Sequence, residues 1–526
     1  MTTLAAIGAH FSRWREWEPN PIVLKELRQS VRSSTVAGML ILFLVVLFFT
    51  NLAYLIGQSV NINQVSELGA QIFPALITIL SFACLVFIPL FIGVRLGMER
   101  QESNLDLLYV TTLSPGRIIR GKMYCGWYLA VLFFSACLPF MAFTSLLRGI
   151  DLPSIFFVMF CLFLVVCAAI QAAIFIGCIP VSRLLKGLLC LAGFGCLVGL
   201  SVGLASGITE MSRDGIGSLL AEPEFLGGFA TFLGVGLGAA LLLYFLSVGM
   251  IAPESANRAL PIRVYMTVLW ALTGVVAFAW AFHVAALSPT MSPIMEAAPL
   301  FLWSSISYAV LGAVLVVVVS NRDQLSPRVR RAIPANPIGR RLAFFFYNGA
   351  AGGLLWVAGL ALLTFASVQI CWAVWPARHG AVRIGQPVTE WRQFQEVTVA
   401  AMFYGFDYAL TALFLHRQFL SRRTPKLAGV LTLLIPGALA TVPPFVLFLI
   451  NRLTWASMDH MQLGNVFNLF TVAEAQQWPH LIFAAGWLLV ALALNARWFW
   501  RQLQHFRRLE PAAPPDNGTA STHAHA

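Results

Sequence analysis

The stretch Gly116-Arg117-Ile118-Ile119-Arg120-Gly121-Lys122 comes nearest to a catalytic signature. Its GxxxxGK spacing is that of a phosphate-binding loop, where backbone amides and a lysine hold a nucleotide's phosphates. Met123 follows the lysine, so the hydroxyl that would ligate magnesium is missing. No strand precedes the run and an apolar segment follows it at once, so we read the match as chance. HExxH does not occur, the GxSxG spacing of Gly199–Gly203 falls inside an apolar run, and the nine histidines are scattered. The nine cysteines form no CxxC pair or Cys/His cluster, which speaks for buried small hydrophobes rather than zinc or disulfides. No catalytic residue, metal or cofactor is expected, and the chain is not read as an enzyme.

Asp407 is the acid that falls well inside an apolar run. A charge at mid-bilayer costs about 2.5–3.5 kcal/mol on insertion scales, so it needs a partner, water or a proton. Tyr404 and Tyr408 lie within one helical turn and are expected to hydrogen-bond it. A neutral packing residue is the favoured reading, and a proton or ion relay the sharper alternative.

The elements that must position these groups follow from composition. Of 526 residues, 59% are apolar and 11% charged, with mean hydropathy +0.79. Soluble domains carry about 25% charged residues, so a water-soluble globule, a disordered chain and a secreted disulfide scaffold are excluded. A bilayer core about 30 Å thick takes about 20 apolar helical residues. Twelve runs qualify: 36–57, 70–94, 123–147, 155–178, 186–207, 227–251, 264–286, 297–320, 349–373, 397–415, 427–450 and 480–499. The predicted fold is all-α and polytopic, with about twelve transmembrane helices.

Net charge is +12, from 34 Lys and Arg against 22 Asp and Glu. The basic residues fall in bursts between apolar runs, which points to membrane topology and not to nucleic acid. With both termini cytoplasmic, 28 of the 34 lie on the inner side. The N-terminus lacks the short apolar core of a signal peptide. The tail, 501–526 by domain and most plainly after Arg508, is rich in Pro, Ala, Ser, Thr and His and is expected to be disordered.

Two inner segments are longer than connection requires. In 19–35, Pro21 can open a helix with Val23, Leu24, Leu27 and Val31 on one face and Lys25, Arg28, Gln29 and Arg32 on the other. Such a helix belongs in the headgroup layer, as a topology anchor or with an added mechanical role. In 95–122, Glu99, Arg100, Gln101 and Glu102 precede Ser103, a candidate N-cap, and then Leu105, Leu107, Leu108 and Val110. Thr112-Leu113-Ser114-Pro115-Gly116 breaks that helix. A short exposed helix with one apolar side suits either a groove on another protein or the chain's own inner loops.

The pair NPIVLKELRQSVRS and ERQESNLDLLYVTTLSPGRIIRGK resembles the membrane subunits of ABC-2-type ABC transporters over about residues 1–255. In that family an amphipathic elbow helix precedes the first span, and a segment after the second forms the coupling helix that docks on the ATPase. The resemblance implies an elbow carrying Lys25, Arg28 and Arg32, and coupling through Glu99, Arg100, Glu102, Leu105, Leu108, Thr112, Leu113 and Pro115. This chain has Ser103-Asn104 where Gly-Thr is commoner and Thr111-Thr112 where Thr-Pro is usual. The resemblance implies a multi-pass permease of the cell (inner) membrane, an exporter, paired with a separate ATP-binding-cassette ATPase. It further implies membrane lipids and a second permease, alike or different, as partners, and no nucleic acid.

The expected organisation is an N-terminal segment 1–35, a six-span module 36–255 and a second six-span bundle 256–500 of unknown role. Asn336-Pro337-Ile338 echoes Asn20-Pro21-Ile22 but precedes the ninth span rather than the seventh, so we read it as chance. A secondary, ion-coupled transporter and a non-transport scaffold for an ATPase are the competing readings. The first predicts symmetric halves and several buried ionisable groups.

Overall fold

The computed structural model describes residues 21–58, 68–101, 114–147, 150–179, 187–199, 201, 203, 216–253, 255–287, 296–320, 325–379, 388–423, 428–450, 462–470 and 477–509. No strand occurs among them, and eleven helices are long and apolar enough to cross a bilayer. The protein is an all-α, multi-pass membrane protein. Of the fifth expected span, 186–207, the described residues form the apolar helix Gly187–Gly199, with 201 and 203 also helical. The chain folds as two compact units, Met1–Pro253 and Glu254–Ala526.

The first unit begins with a short helix α1 (Pro21–Val31) and the apolar α2 (Ser34–Gln58). Helix α3 (Leu68–Phe82) runs through a π-helical turn, Ala83–Phe87, into α4 (Ile88–Gln101). The wide turn lies just ahead of Pro89, whose ring cannot sit against the carbonyl four residues back in a regular helix. Then come α5 (Pro115–Leu146), α6 (Leu152–Cys178), α7 (Gly187–Gly199) and α8 (Pro223–Ile251). Leu76, Leu80, Phe133 and Ile170 are among the residues of its buried core. Helices α4 and α6 approach through small residues. A methyl group on Gly93 would lie 3.0 Å from the Ala173 carbonyl oxygen, and one on Gly177 3.0 Å from that of Gly93. Where lipid tails are as apolar as leucine, such close backbone contact is what holds helices together.

The second unit contains α9 (Ala259–Leu287), α10 (Ala298–Val319), the short α11 (Pro327–Arg331), and α12 (Pro337–Phe346). It continues with α13 (Ala350–His379), α14 (Val388–Leu415), α15 (Ala428–Ile450) and α16 (Gln477–His505). Helix α14 packs against α10, α15 and, most extensively, α16. Helix α16 continues to His505, so Arg501–His505 are helical and the expected disordered tail does not begin at 501. Just past its end, Phe506 packs edge-on against Phe344 and Tyr347.

The repeated Asn-Pro-Ile triplet has a structural sense. Asn336 caps α12 by accepting a hydrogen bond from the Ile338 amide, and Pro337 takes the first helical position. Pro21 likewise opens α1. Each triplet thus starts a short helix just ahead of a long apolar one.

The turn from α12 into α13 is tight enough to require glycine. A methyl group on Gly352 would lie 2.2 Å from the Phe344 carbonyl oxygen, a backbone atom that cannot swing aside. Gly352→Ala is therefore expected to lower stability by about 2–3 kcal/mol. Gly359→Ala, seven residues along the same helix and facing open space, is expected to raise it by about 0.5–1 kcal/mol. Thermal unfolding in detergent compares the two, and equal effects would contradict the packing described.

Candidate functional site

In the first unit, the root of the segment between α4 and α5 is closed by an ionic clasp, buried at Lys122 and Glu26 and half-buried at Glu99 and Arg95. Lys122, on the second turn of α5, is 4% exposed, and its Nζ lies 2.7 Å from Glu99 Oε2 and 3.0 Å from Glu26 Oε1. Glu26, on α1, is 5% exposed. Arg95 of α4 completes the group, with Nε 3.7 Å from Glu26 Oε2 and 3.9 Å from Glu99 Oε1, and it donates to Gln29 Oε1. Two carboxylates face two cations, so the cluster is electrically balanced. That balance is what makes burial tolerable, because an unpaired charge there would keep its full desolvation penalty.

Beside it Ser30 donates its hydroxyl to the Glu26 carbonyl at 2.8 Å, and its Oγ lies 3.2 Å from Cys125 Sγ. Three elements, α1, α4 and α5, thus meet at one polar knot. Lys122 and Glu99 bracket residues 100–121, so the knot pins the two ends of that segment together.

The clasp sets which side of α1 faces the protein. Its buried stripe is Ile22, Glu26 and Ser30, while Leu24 and Val31 are 51% and 61% exposed. Glu26 is drawn to its ionic partners on α4 and α5, Val23 and Leu27 are half-buried, and Leu24 and Val31 are left to the surroundings. Lys25, Arg28 and Arg32 are exposed. Glu26, the acid that anchors the helix, was not singled out by sequence. The signal was there: one acid in a basic helix, in register with Ile22 and Ser30 at four-residue spacing.

Of the residues expected from the resemblance to couple to an ATPase, Glu99 turns its two carboxylate oxygens toward Lys122 and Arg95. Pro115 holds the first position of α5, after Ser114. Arg100 lies on α4. Glu102, Leu105, Leu108, Thr112 and Leu113 lie outside the described residues. The run Gly116–Lys122 is helical from Pro115 onward, and its lysine is held by two carboxylates.

The second unit buries a separate polar group. Asp407 lies on α14, eleven residues into the apolar stretch Glu396–Arg423, and is fully buried. Among the described residues neither of its carboxylate oxygens has a hydrogen-bond partner. The expected tyrosine bonds are absent because both hydroxyls are engaged elsewhere. Tyr408 donates to the Gly464 carbonyl at 2.7 Å and accepts from the Val466 amide at 3.3 Å. Tyr404 accepts from the Gly464 amide at 3.2 Å and lies 2.9 Å from His480 Nδ1. The other ring nitrogen of His480 is 3.2 Å from Asn468 Oδ1. The segment 462–470, with Gly464 at φ +92°, therefore plugs into the tyrosine pair. In sequence nothing marked His480 or Asn468, because 60 residues or more separate them from α14's tyrosines.

A third polar contact is built differently. Arg263 of α9 is 4% exposed and donates to the carbonyls of Phe345 (2.8 Å), Tyr347 (2.7 Å) and Gly349 (3.2 Å). A methyl group on Gly353 would lie 2.7 Å from its guanidinium, so the glycine makes the room.

Comparison with protein-family models, with curated proteins and with solved structures gives no match.

Proposed function

We propose that this protein is the membrane-spanning permease subunit of an ATP-binding-cassette transporter, an exporter in the cell membrane, driven by a separate ATPase subunit. The reading rests on the order of segments in the first unit: a short amphipathic helix, two apolar helices, then ERQESNLDLLYVTTLSP. The observation that carries it is the Glu26–Lys122–Glu99–Arg95 clasp. A segment on which a foreign protein pushes must be held firmly at both ends, or the push dissipates in local bending. Here both ends are joined to each other and to α1.

On this reading, ATP would close a dimer of partner nucleotide-binding subunits. The force would enter at 99–115, and α3–α4 with α5 would tilt as a body. Membrane lipids would surround the exposed apolar side chains, and a second permease chain would complete the pathway. Leu105→Asp with Leu108→Asp is the test. Charged replacements on the apolar side of the segment are expected to cut ATPase co-purification and ATP-dependent transport at least tenfold, at unchanged expression. If both survive, the coupling role is wrong.

A further inference from the structure

The polar array around Asp407 lies far from the ionic clasp in sequence and belongs to the other unit, and the reading given above does not use it. We propose that Asp407 is a reversible proton-binding site inside the second unit, loaded through Tyr404 and His480 from the end of the bundle at which α16 begins. Such a site needs no ATPase.

The hydrogen-bond pattern fixes which protons are free. Asn468 Oδ1 is an acceptor, so His480 Nε2 carries a proton toward it, and Nδ1 of the neutral ring must accept from the Tyr404 hydroxyl. The Tyr404 proton is therefore committed to His480, and that of Tyr408 to the Gly464 carbonyl. Neither can turn to Asp407, which comes three residues after Tyr404 and directly before Tyr408. A carboxylate fully buried in an apolar bundle with no donor in reach is stable there as the neutral acid.

Protonating His480 changes the pattern. Both ring nitrogens then donate, so Tyr404 becomes the acceptor and its own proton is released to point elsewhere. Tyr404 can then pass that proton to an ionised Asp407 while it takes one from Nδ1. One N–H and one O–H bond break, two O–H bonds form, and the net result is one proton moved from the imidazolium to the carboxylate. The same steps in reverse return it. His480 stands four residues into α16 and Asn468 in the segment just before it, which sets the end from which the proton enters.

Among the described residues no fixed charge close to the site competes for it. From α10 the titratable group is Tyr308, α15 and the segment 462–470 contribute none, and α16 contributes His480, with Arg497, Arg501 and His505 toward its opposite end. On α14 itself Tyr404 and Tyr408 flank Asp407. The next groups along the chain are Glu396, three turns before it, and His416 and Arg417 after it. Arg417 is engaged with Asn495 Oδ1 at 3.0 Å and lies over Trp498. It is nine to ten residues away, too far to serve as a counter-ion.

The full-length protein, reconstituted in vesicles of phosphatidylethanolamine and phosphatidylglycerol, is treated with dicyclohexylcarbodiimide, which attaches to protonated carboxyl groups in apolar surroundings. Peptide mass spectrometry then reads the adduct. Labelling at Asp407 is expected at pH 6, to fall at least tenfold by pH 9, and to vanish in Asp407→Asn. Because the pH profile is read on the native chain, it stands even where that variant fails to fold. His480→Gln is expected to slow labelling at pH 6 at least fivefold. No labelling of Asp407 at pH 6, or equal labelling at pH 6 and 9, overturns the site, and an unchanged rate in His480→Gln overturns the entry route.

Discussion

Lys122→Met is expected to destabilise the first unit by about 3–5 kcal/mol, the cost of leaving buried charges without their partner. Two carboxylates, Glu26 and Glu99, would then share one distant cation, Arg95, whose contacts are no shorter than 3.7 Å. The midpoint of thermal unfolding in detergent is the measurement, with Lys25→Met as the reference. Lys25 is exposed on the same short helix, and its loss should leave stability unchanged. Equal midpoints for the two variants would show that the clasp does not hold α1. The double variant Glu26→Gln with Lys122→Met is expected to recover part of the loss, since it removes one uncompensated charge together with its partner. That recovery is the pairwise coupling a double-mutant cycle measures. A stabilising clasp also explains why α1 turns Leu24 and Val31 outward: the charges choose its orientation, and the leucine-rich side follows.

Arg263→Met is expected to cost about 4 kcal/mol in the second unit. Three carbonyls at the α12–α13 turn would lose their donor in a site from which water is excluded, and each buried acceptor left unmade costs about 1–3 kcal/mol. Arg263→Lys should restore less than half. An ammonium is a point donor, whereas the planar guanidinium reaches several carbonyls from fixed directions. Arg340→Met, on the exposed side of α12, is the matched comparison and should change little. Should Arg263→Met unfold at the same temperature as Arg340→Met, the carbonyl cradle is not what fixes the turn.

Both predictions concern residues that sequence reasoning treated as topology signals. Lys122, Arg95 and Arg263 all flank apolar runs, and positive charge at a span's end is enough to explain such residues. In the folded protein each has a specific partner, and two of the three are buried. The difference is one of range. Distance along the chain to a bilayer edge is local information. The pairing of Lys122 with Glu26 joins residues 96 apart, and Arg263 with Phe345 joins residues 82 apart.

Asp407 was legible as an oddity, and its surroundings were not. An acid in an apolar run stands out by composition, and Tyr404 and Tyr408 stood at the right spacing to satisfy it. What sequence could not foresee was competition: the segment 462–470 and His480 take both hydroxyls first, through contacts that a helical wheel cannot contain. The residue expected to be hydrogen-bonded is therefore left bare.

By itself the sequence determined that the chain is all-helical and crosses a membrane many times, because apolar length and the scarcity of charge are properties of each segment alone. It also placed the short helix start at Pro21, since a proline's fixed backbone angle acts within the first turn. Only the tertiary structure decided which face of α1 is buried, which cations are structural, and which acid lacks a partner. Those outcomes turn on which side chains compete for the same donor or charge across distant elements, and that competition exists only once the helices have packed.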